Sequence, residues 1–392
     1  MSRHDFPPEE FSARRAALFA AMARRGLSSF LVVHPTSIHW LTGCEAKGYQ
    51  AFQCLLADAA AQRLVMFTRE SERHEVRDDA LVDDLVCWGG AQAGDPIDAF
   101  VTLARALRPA TARAQGMEVP AYYLHPHHYV RIKAALEIDA DGEAPNLVHE
   151  LRLVKSPREI ACLREAARIA DLCLLGVRDA LAIGRTEREV ASAIYGTALA
   201  NGADVPTVPV NFVSGPRAAY SHGGPTSRRL EAGDTGNVEF CIPYQRHTVS
   251  LGRVFSMGAP GGRIRRLHDV VRQAADACIA VIRDGTPASV AHRAASEVID
   301  TAGFRGHRAH TLGYAVAPAF PPATGEPLQL AEGSSHVLKA GMLLSICPNI
   351  FIGAERLGVR LVDNVLVTHD GAEILSTVPR DVIVFAQGLL TL

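Results

Sequence analysis

The stretch 213–255 most constrains how this chain can fold, because its pattern predicts two extended runs joined by a turn. Gly233-Asp234 is a turn dipeptide, and apolar and β-branched residues on either side of it favour strands. Glu239 and Ser250 are eleven residues apart on this predicted pair. Both side chains can therefore face one pocket across a sheet.

Composition indicates a globular α/β protein with a large core. The chain has 392 residues, of which 48% are hydrophobic, so two domains are expected. Its 40 basic and 42 acidic residues nearly balance, which gives no electrostatic reason to expect nucleic acid or a membrane as partner. Eight cysteines occur singly, and no apolar run approaches the length of a membrane span. These features predict a cytoplasmic protein with reduced thiols.

The order of predicted elements divides the chain near residue 152. Before that point, helical and strand patterns alternate, which is typical of a three-layer α/β domain. After it, two helices, a strand pair, two further helices and a series of strands indicate an α+β unit. The capping pattern that starts at Ser156-Pro157, with Glu159, opens the first of these helices. We therefore predict domains at 1–152 and 153–392.

Several segments of the second half resemble one family, in order and in register. They are LRLVKSPREI (151–160), LEAGD (230–234), HTLG (310–313), LKAGM with SICP (338–348) and GVRLVD with VLVT (358–368). The chain is similar in these segments to the M24 "pita-bread" hydrolases, the creatinase–aminopeptidase superfamily. The resemblance implies a creatinase-type N-terminal α/β domain followed by an α+β pita-bread catalytic domain.

The resemblance also locates the metal-ligand positions of the family's peptidases. In this sequence they are Glu239, Ser250, His310, Cys347 and Val362. A two-metal site needs bridging carboxylates, which Ser250 and Val362 lack. We therefore predict no dinuclear site and no cofactor. An alternative is a single Zn²⁺ held by Glu239, His310 and Cys347, whose donor atoms suit zinc.

His222 occupies the position of the proton-transferring histidine of creatinase. A neutral imidazole can act as base and then as acid near pH 7, as cleavage of a C–N bond requires. The loop that ends at Glu326 is similar to one in ectoine hydrolase-like relatives. Our main hypothesis is a metal-independent hydrolase of a non-peptide amide or amidine bond in a small, possibly cyclic molecule. Its predicted catalytic residues are His222, Glu239, His310 and Glu326.

The resemblance further implies substrate contacts from both domains and a homodimer, in which the N-terminal domain closes the partner's pocket. The predicted substrate-binding residues are Tyr49, Phe52, Cys347, Arg253 and Arg360. Two other hypotheses stay open. One is an Xaa-Pro dipeptidase- or aminopeptidase-like metallohydrolase with one zinc ion. The other is a pita-bread protein that binds a small molecule or a protein without chemistry.

Overall fold

The structure, a computed structural model, describes residues 5–91, 94–107, 114–120, 122–386 and 389–391. These residues divide into two compact units, Met1–Arg152 and Leu153–Leu392. None of the described helices combines the length and the apolar character needed to cross a membrane.

The first unit is built on one mixed sheet. Its strands are β1 (Ser29–Val32), β2 (Cys54–Asp58), β3 (Arg63–Arg69), β4 (Asp84–Trp88) and β5 (Gln115–Met117). They lie in the order β4-β3-β2-β1-β5, with the β1–β2 and β2–β3 pairs antiparallel and the β3–β4 and β1–β5 pairs parallel. The described helices of this unit are α1 (Pro8–Arg24), α2 (Pro35–Thr42), α3 (Arg73–Asp79), α4 (Pro96–Leu107), α5 (Pro126–Leu136) and α6 (Leu147–Arg152).

Both faces of this sheet are covered, as expected for a three-layer α/β domain. Side chains alternate between the two faces of a strand, so neighbours contribute to different cores. Leu55 packs with Leu18 of α1, whereas the adjacent Leu56 belongs to a second cluster with Phe100 of α4. The α/β class predicted for the N-terminal half is confirmed.

The second unit combines two helix pairs with two larger sheets and a separate strand pair. Its helices are α7 (Pro157–Ala180), α8 (Glu187–Ala200), α9 (Gly262–Val281) and α10 (Ala288–Thr301). Its strands are β6 (Asn211–Ser214), β7 (Thr235–Tyr244), β8 (His247–Met257), β9 (Gly313–Phe320), β10 (Ala323–Gln329), β11 (Leu343–Ile346), β12 (Asn349–Ile352), β13 (Leu357–Arg360), β14 (Asp363–Val367), β15 (Ala372–Ile374), β16 (Ile383–Ala386) and β17 (Leu389–Thr391).

Each helix pair covers its own apolar core. One sheet has the order β17-β16-β8-β7-β6, the other β10-β9-β11-β14-β15, and β12 pairs with β13. Ile169 of α7 and Ile194 of α8 belong to a core that includes Phe240 of β7. Leu267 of α9 and Ile299 of α10 belong to a second core. This arrangement confirms the predicted α+β pita-bread architecture.

The hairpin turn between the central strands differs from the prediction. Gly233-Asp234 precedes β7 and does not connect the paired strands, whereas Gln245 and Arg246 join β7 to β8. Both of the latter residues have positive φ, 46° and 63°, as a two-residue turn of the hairpin type requires. Sequence reasoning missed this turn because glutamine and arginine rarely adopt that conformation.

Candidate functional site

The candidate site is a cavity of about 370 Å³ in the second unit. Its polar wall includes Asn211, His222, Glu239 and His310, and its apolar wall includes Phe240 and Pro322 among others. This volume falls within the range of small-molecule pockets. Such pockets usually have an apolar lining with a few polar groups, as this cavity does. The central strands supply one side of the cavity, because Asn211 of β6 and Glu239 of β7 are cross-strand partners.

Two histidines stack inside this cavity. The ring centroids of His222 and His310 are 5.8 Å apart, and their planes differ by 24°. The Nδ1 atom of His310 lies 2.7 Å from the carbonyl oxygen of Thr311, which can only accept a hydrogen bond. The proton of the neutral ring therefore resides on Nδ1, and Nε2 carries a lone pair.

Both imidazoles are neutral near pH 7. Burial lowers the pKa of His310. Burial also lowers the pKa of His222, with smaller contributions from Arg360 and His310. A lowered pKa in a cleft is one mark of a functional site, and a neutral imidazole can accept a proton.

Glu239 is held by two neighbours at the wall of the cavity. Its Oε2 accepts a hydrogen bond of 2.9 Å from Nδ2 of Asn211 and forms an ion pair with Nη1 of Arg360. The Arg360 side chain is only 2% exposed and also donates to the carbonyl and hydroxyl oxygens of Ser221. Burial lowers the pKa of Arg360 to about 10, so the guanidinium is still charged at pH 7. The carboxylate is therefore already neutralised by the protein.

Ser250 and Val362 carry no carboxylate. Both residues have hydrogen-bond partners within the protein. Ser250 Oγ is 2.8 Å from Ser345 Oγ, and the backbone N–H of Ser250 donates to Oδ1 of Asn364 at 3.1 Å. Val362 is 1% exposed, and its backbone pairs with that of Gly252. Neither residue can bridge two cations.

The thiol of Cys347 is enclosed next to His310. Its Sγ is 4.0 Å from His310 Nδ1 and donates to the carbonyl oxygen of Thr311 at 3.5 Å. Burial raises the pKa of Cys347 to about 12. Within the described part of the chain, no three His, Cys, Asp or Glu side chains are grouped so as to hold a metal ion. Because Arg360 already pairs with Glu239, these residues fit neither two metal ions nor one zinc.

Three predicted site residues of the second unit, Arg253, Glu326 and Arg360, do not line the cavity. Arg253 is 1% exposed and donates to Asp363 Oδ1 at 2.9 Å and to the carbonyl oxygens of Val362 and Pro379. It forms a buried ion pair away from the cavity, and its predicted role in binding substrate stays a prediction. Glu326 of β10 is 2% exposed and does not line the cavity, although Gly325 and Gln329 do.

The two substrate contacts predicted in the first unit, Phe52 and Tyr49, differ in how deeply they are buried. Phe52 is fully buried, with ring centroids 6.0 Å from Phe67 and 5.7 Å from Phe100. It is a core residue of that unit, and its predicted role as a substrate contact stays a prediction. Tyr49 is half-buried, with its ring edge against Tyr123 at 5.5 Å.

Sequence reasoning missed three polar residues that the fold brings to this site. Asn211 contacts Glu239, Tyr314 lines the cavity, and Asn349 Nδ2 lies 3.3 Å from His310 Nε2. Tyr314 and Asn349 follow predicted site residues by four and two positions, a proximity that could have drawn attention to them. Asn211 had no such signal, because only the β6–β7 register places it beside Glu239.

Comparison with known families accounts for most of the chain. Residues 161–369 match the model of metallopeptidase family M24, and residues 14–154 match the model of the creatinase/prolidase N-terminal domain. The first match alone spans more than half of the 392 residues.

Relatives by sequence and by structure include dipeptidases. An Xaa-Pro dipeptidase from Pyrococcus furiosus is 28% identical over 61% of this chain and 67% of its own length. The crystal structure of the dipeptidase PepE from Mycobacterium ulcerans has a TM-score of 0.84 and 26% identity, covering 97% of this chain and 99% of that one. The prolidase structure from Pyrococcus horikoshii OT3, with a TM-score of 0.82, 21% identity and 95% and 100% coverage, supports the fold.

These findings correct the main functional hypothesis. A metal-independent hydrolase of a non-peptide C–N bond is contradicted, because the relatives are Xaa-Pro dipeptidases. The comparisons also contradict the prediction of no cofactor, since the matched family is one of metallopeptidases. The side chains described above nevertheless do not fit an ion at this family's ligand positions in this chain. The alternative hypothesis of an Xaa-Pro dipeptidase-like enzyme agrees better with these relatives. The main hypothesis inferred a type of reaction from the absence of carboxylates at the metal-ligand positions. Replacement of a metal ligand, however, does not show which bond an enzyme cleaves.

The fold and both domain matches agree, and this chain therefore belongs to the metallopeptidase family M24, with a creatinase/prolidase domain at its N-terminal side.

Proposed function

We propose that this protein hydrolyses an amide bond of a short peptide, with Xaa-Pro dipeptides as the substrate class to test first. The observation that carries the proposal is the convergence of His222, His310 and Glu239 on one cavity of about 370 Å³ in the M24 domain. The names of the relatives, an Xaa-Pro dipeptidase and a dipeptidase, support a peptide substrate.

Proton transfer is assigned to the two histidines. Hydrolysis of an amide needs a base for the attacking water and an acid for the leaving nitrogen. His310 is suited to the first task, because the Thr311 carbonyl holds its proton on Nδ1 and leaves the lone pair on Nε2. The attacking water would replace Asn349 Nδ2, which lies 3.3 Å from that atom. His222 stacks beside it at 5.8 Å and also starts neutral. It is the candidate acid, because it can receive the proton that His310 takes from the water and donate it to the leaving nitrogen. No step is assigned to a metal ion, because the side chains at the family's ligand positions do not fit one.

The remaining lining residues hold the substrate. Asn211 and Arg360 fix the carboxylate of Glu239, so its free oxygen is a positioned acceptor for a substrate N–H. Phe240, Tyr314 and Pro322 form the apolar surface on which a prolyl ring or an aliphatic side chain would pack.

The proposal is tested with purified protein and a panel of Xaa-Pro dipeptides, together with their Xaa-Ala counterparts. Mn²⁺, Co²⁺ or Zn²⁺ is added in parallel samples, because the matched family is one of metallopeptidases. We expect release of free amino acids. His310→Ala should lower kcat by about 100-fold or more, the typical effect of losing an acid–base group.

Circular dichroism and thermal melting of His310→Ala provide the control for folding. If no peptide is cleaved under any of these conditions, the proposal fails. Calorimetric binding of the peptides without turnover would then favour the binding-protein hypothesis.

Within the family, we propose a branch in which the dinuclear ligand set has been replaced. Two observations support it: the hydroxyl network of Ser250 and Ser345, and the apolar Val362 at a ligand position. Titration with Mn²⁺ or Co²⁺, followed by calorimetry, tests it. Binding of two ions per chain at the cavity would contradict the proposal.

We also propose a homodimer, which the resemblance to the family implies. Tyr49 is the predicted contact that retains exposed surface in the first unit. Light scattering coupled to size exclusion should give a mass near twice 42.1 kDa. A monomer at micromolar concentration would reject this proposal.

A further inference from the structure

We propose that the hydroxyl of Tyr314 is a catalytic hydrogen-bond donor, which stabilises the negative oxygen formed when water attacks the substrate carbonyl. This inference rests on the proposed amide hydrolysis and adds a group for the carbonyl oxygen, whereas His310 and His222 serve the water and the leaving nitrogen. It follows from a cluster of three hydroxyl groups, those of Tyr314, Ser345 and Ser250, at the junction of two sheets.

The register of β9 directs the Tyr314 side chain toward the cavity. Its Cα partners are Ser345 of β11 and Gln329 of β10, and directly opposite residues of neighbouring strands share one face of a sheet. Tyr314 and Gln329 both line the cavity. Gly325, another lining residue, faces the tyrosine ring, because a Cβ atom at this glycine would lie 3.5 Å from Cδ2 of Tyr314. The ring therefore lies along the wall of the cavity.

Two buried serines hold the tyrosine hydroxyl. It is hydrogen-bonded to Ser345 and Ser250, whose Oγ atoms are 2.8 Å apart. Ser250 belongs to β8, so the cluster joins the two larger sheets of the second unit. Both serines are buried and lie outside the lining of the cavity, whereas Tyr314 is part of it. Tyr314 is therefore the member of the cluster that a substrate can reach.

The cluster can present one donor to the cavity. A hydroxyl group donates one hydrogen bond and accepts others. When a substrate oxygen accepts from Tyr314, Ser250 can donate to Ser345, and Ser345 to Tyr314. Each serine proton then keeps an acceptor, and the phenolic O–H is the donor directed at the substrate. Hydrogen bonds in such a series polarise one another, and surroundings without water strengthen them further.

This donor fits the electron movements of amide hydrolysis. The water oxygen forms a bond to the carbonyl carbon while His310 accepts a proton from the water, and the π electrons of the carbonyl group move to its oxygen. Tyr314 donates a hydrogen bond to that oxyanion and keeps its proton. The C=O bond then forms again, the C–N bond breaks, and His222 protonates the leaving nitrogen. A donor fixed where negative charge develops stabilises the transition state more than the substrate.

The kinetic test is Tyr314→Phe, which removes the hydroxyl and keeps the ring. We expect kcat to fall by about 100-fold, with KM changed by less than about twofold, as for loss of one oxyanion donor. Tyr244→Phe is the matched control, because Tyr244 packs against the same core but lies outside the lining of the cavity. Its kinetic constants should be those of the unmodified protein. An unchanged kcat in a folded Tyr314→Phe protein would overturn the inference.

A binding test separates a catalytic from a structural role of the hydroxyl. Two analogues of Ala-Pro replace the scissile amide, one by a phosphinate, which mimics the oxyanion, and one by a ketomethylene group, which keeps a neutral carbonyl. Calorimetry is carried out with EDTA, so that stray metal ions do not supply affinity. Tyr314→Phe should weaken the phosphinate by about tenfold more than the ketomethylene. Equal losses would contradict the inference, as would unmodified protein that binds the phosphinate no more tightly than the ketomethylene.

Ser345 is a positioning residue, because it acts through Tyr314. Ser345→Ala should lower kcat by about three- to tenfold, and should have no further effect when Tyr314 is already phenylalanine. Effects that multiply in the double variant would contradict the series of hydroxyls. Should Tyr314→Phe fail to fold, Ser345→Ala is measured with the two analogues. A larger loss of affinity for the phosphinate then supports the inference, and equal losses reject it.

The hydrolase proposal and this inference fail in different ways. If no peptide is cleaved but Tyr314→Phe selectively loses affinity for the phosphinate, the hydrolase proposal fails and the donor role of Tyr314 stands. If peptides are cleaved at the same rate with and without the hydroxyl, the hydrolase proposal stands and the inference fails.

Discussion

At the scale of single residues, the site is defined by which partner each polar side chain has. Glu239, which the resemblance predicts at a metal-ligand position, forms an ion pair with the buried Arg360 in this chain. Removing one member of a buried ion pair leaves the other charge uncompensated, which is far more costly than removing an exposed pair.

We predict that Arg360→Met lowers the free energy of unfolding of the second unit by about 3–5 kcal/mol, because Glu239 keeps only Asn211 as a partner. Chemical denaturation followed by circular dichroism measures this. Arg263→Met is the control, since the Arg263–Glu355 pair is exposed to solvent and should contribute little to stability. Equal effects of the two substitutions would contradict the predicted stabilising role of the buried pair.

The pH dependence of turnover is a second property of individual residues. Activity that needs neutral His310 and His222 is lost only when they gain protons, and their pKa values lie below the ordinary histidine value of about 6.5. We therefore expect kcat/KM to persist as the pH falls through 6.5 and to decline at lower pH. A pH profile of the hydrolysis measures this, and a half-maximal rate at or above pH 6.5 would contradict it.

At the scale of secondary structure elements, local sequence patterns determined the helix starts well. Ser156 and Glu159 form a complete capping box at the start of α7, as do Thr186 and Glu189 at the start of α8. Such motifs act within four residues, so they can be recognised without the fold. The hairpin turn at Gln245-Arg246 could not be recognised from the sequence, because strand pairing imposes its positive φ values.

The two capping boxes differ in one tertiary contact, which allows a matched test. Glu159 Oε1 lies 3.4 Å from Nε2 of the buried His247, whereas Glu189 is exposed. We predict that Glu159→Ala destabilises the protein by more than the roughly 1 kcal/mol expected for a lost cap, and that Glu189→Ala costs only that amount. Thermal melting of both variants measures this difference. Equal decreases in Tm would show that the contact with His247 does not contribute to stability.

At the scale of the whole molecule, two compact units carry separate cores. Our predicted division into 1–152 and 153–392 implies that each part has enough apolar surface to fold by itself. We therefore expect each fragment, expressed alone, to unfold cooperatively on heating. Differential scanning calorimetry measures this, and a fragment without a cooperative transition would reject the division for that part.

The candidate site shows how far sequence reasoning extended. Alignment of family motifs selected His222, Glu239, His310 and Cys347, and the fold brings all four to the wall of one cavity. Their catalytic and binding roles stay predictions. The same reasoning selected Arg253 and Phe52, which are buried in an ion pair and in a core, because a motif position does not state whether a side chain faces a cavity or a core.

The sequence by itself determined the two-part α/β and α+β architecture, the family and the helix caps, because these depend on local patterns and ordered motifs. Only the tertiary structure decided that Glu239 pairs with Arg360 and that Ser250 pairs with Ser345. These partners are 121 and 95 residues apart in the chain, so strand register and packing, which no local pattern encodes, bring them together. The electrostatic character of the cavity follows from those pairings.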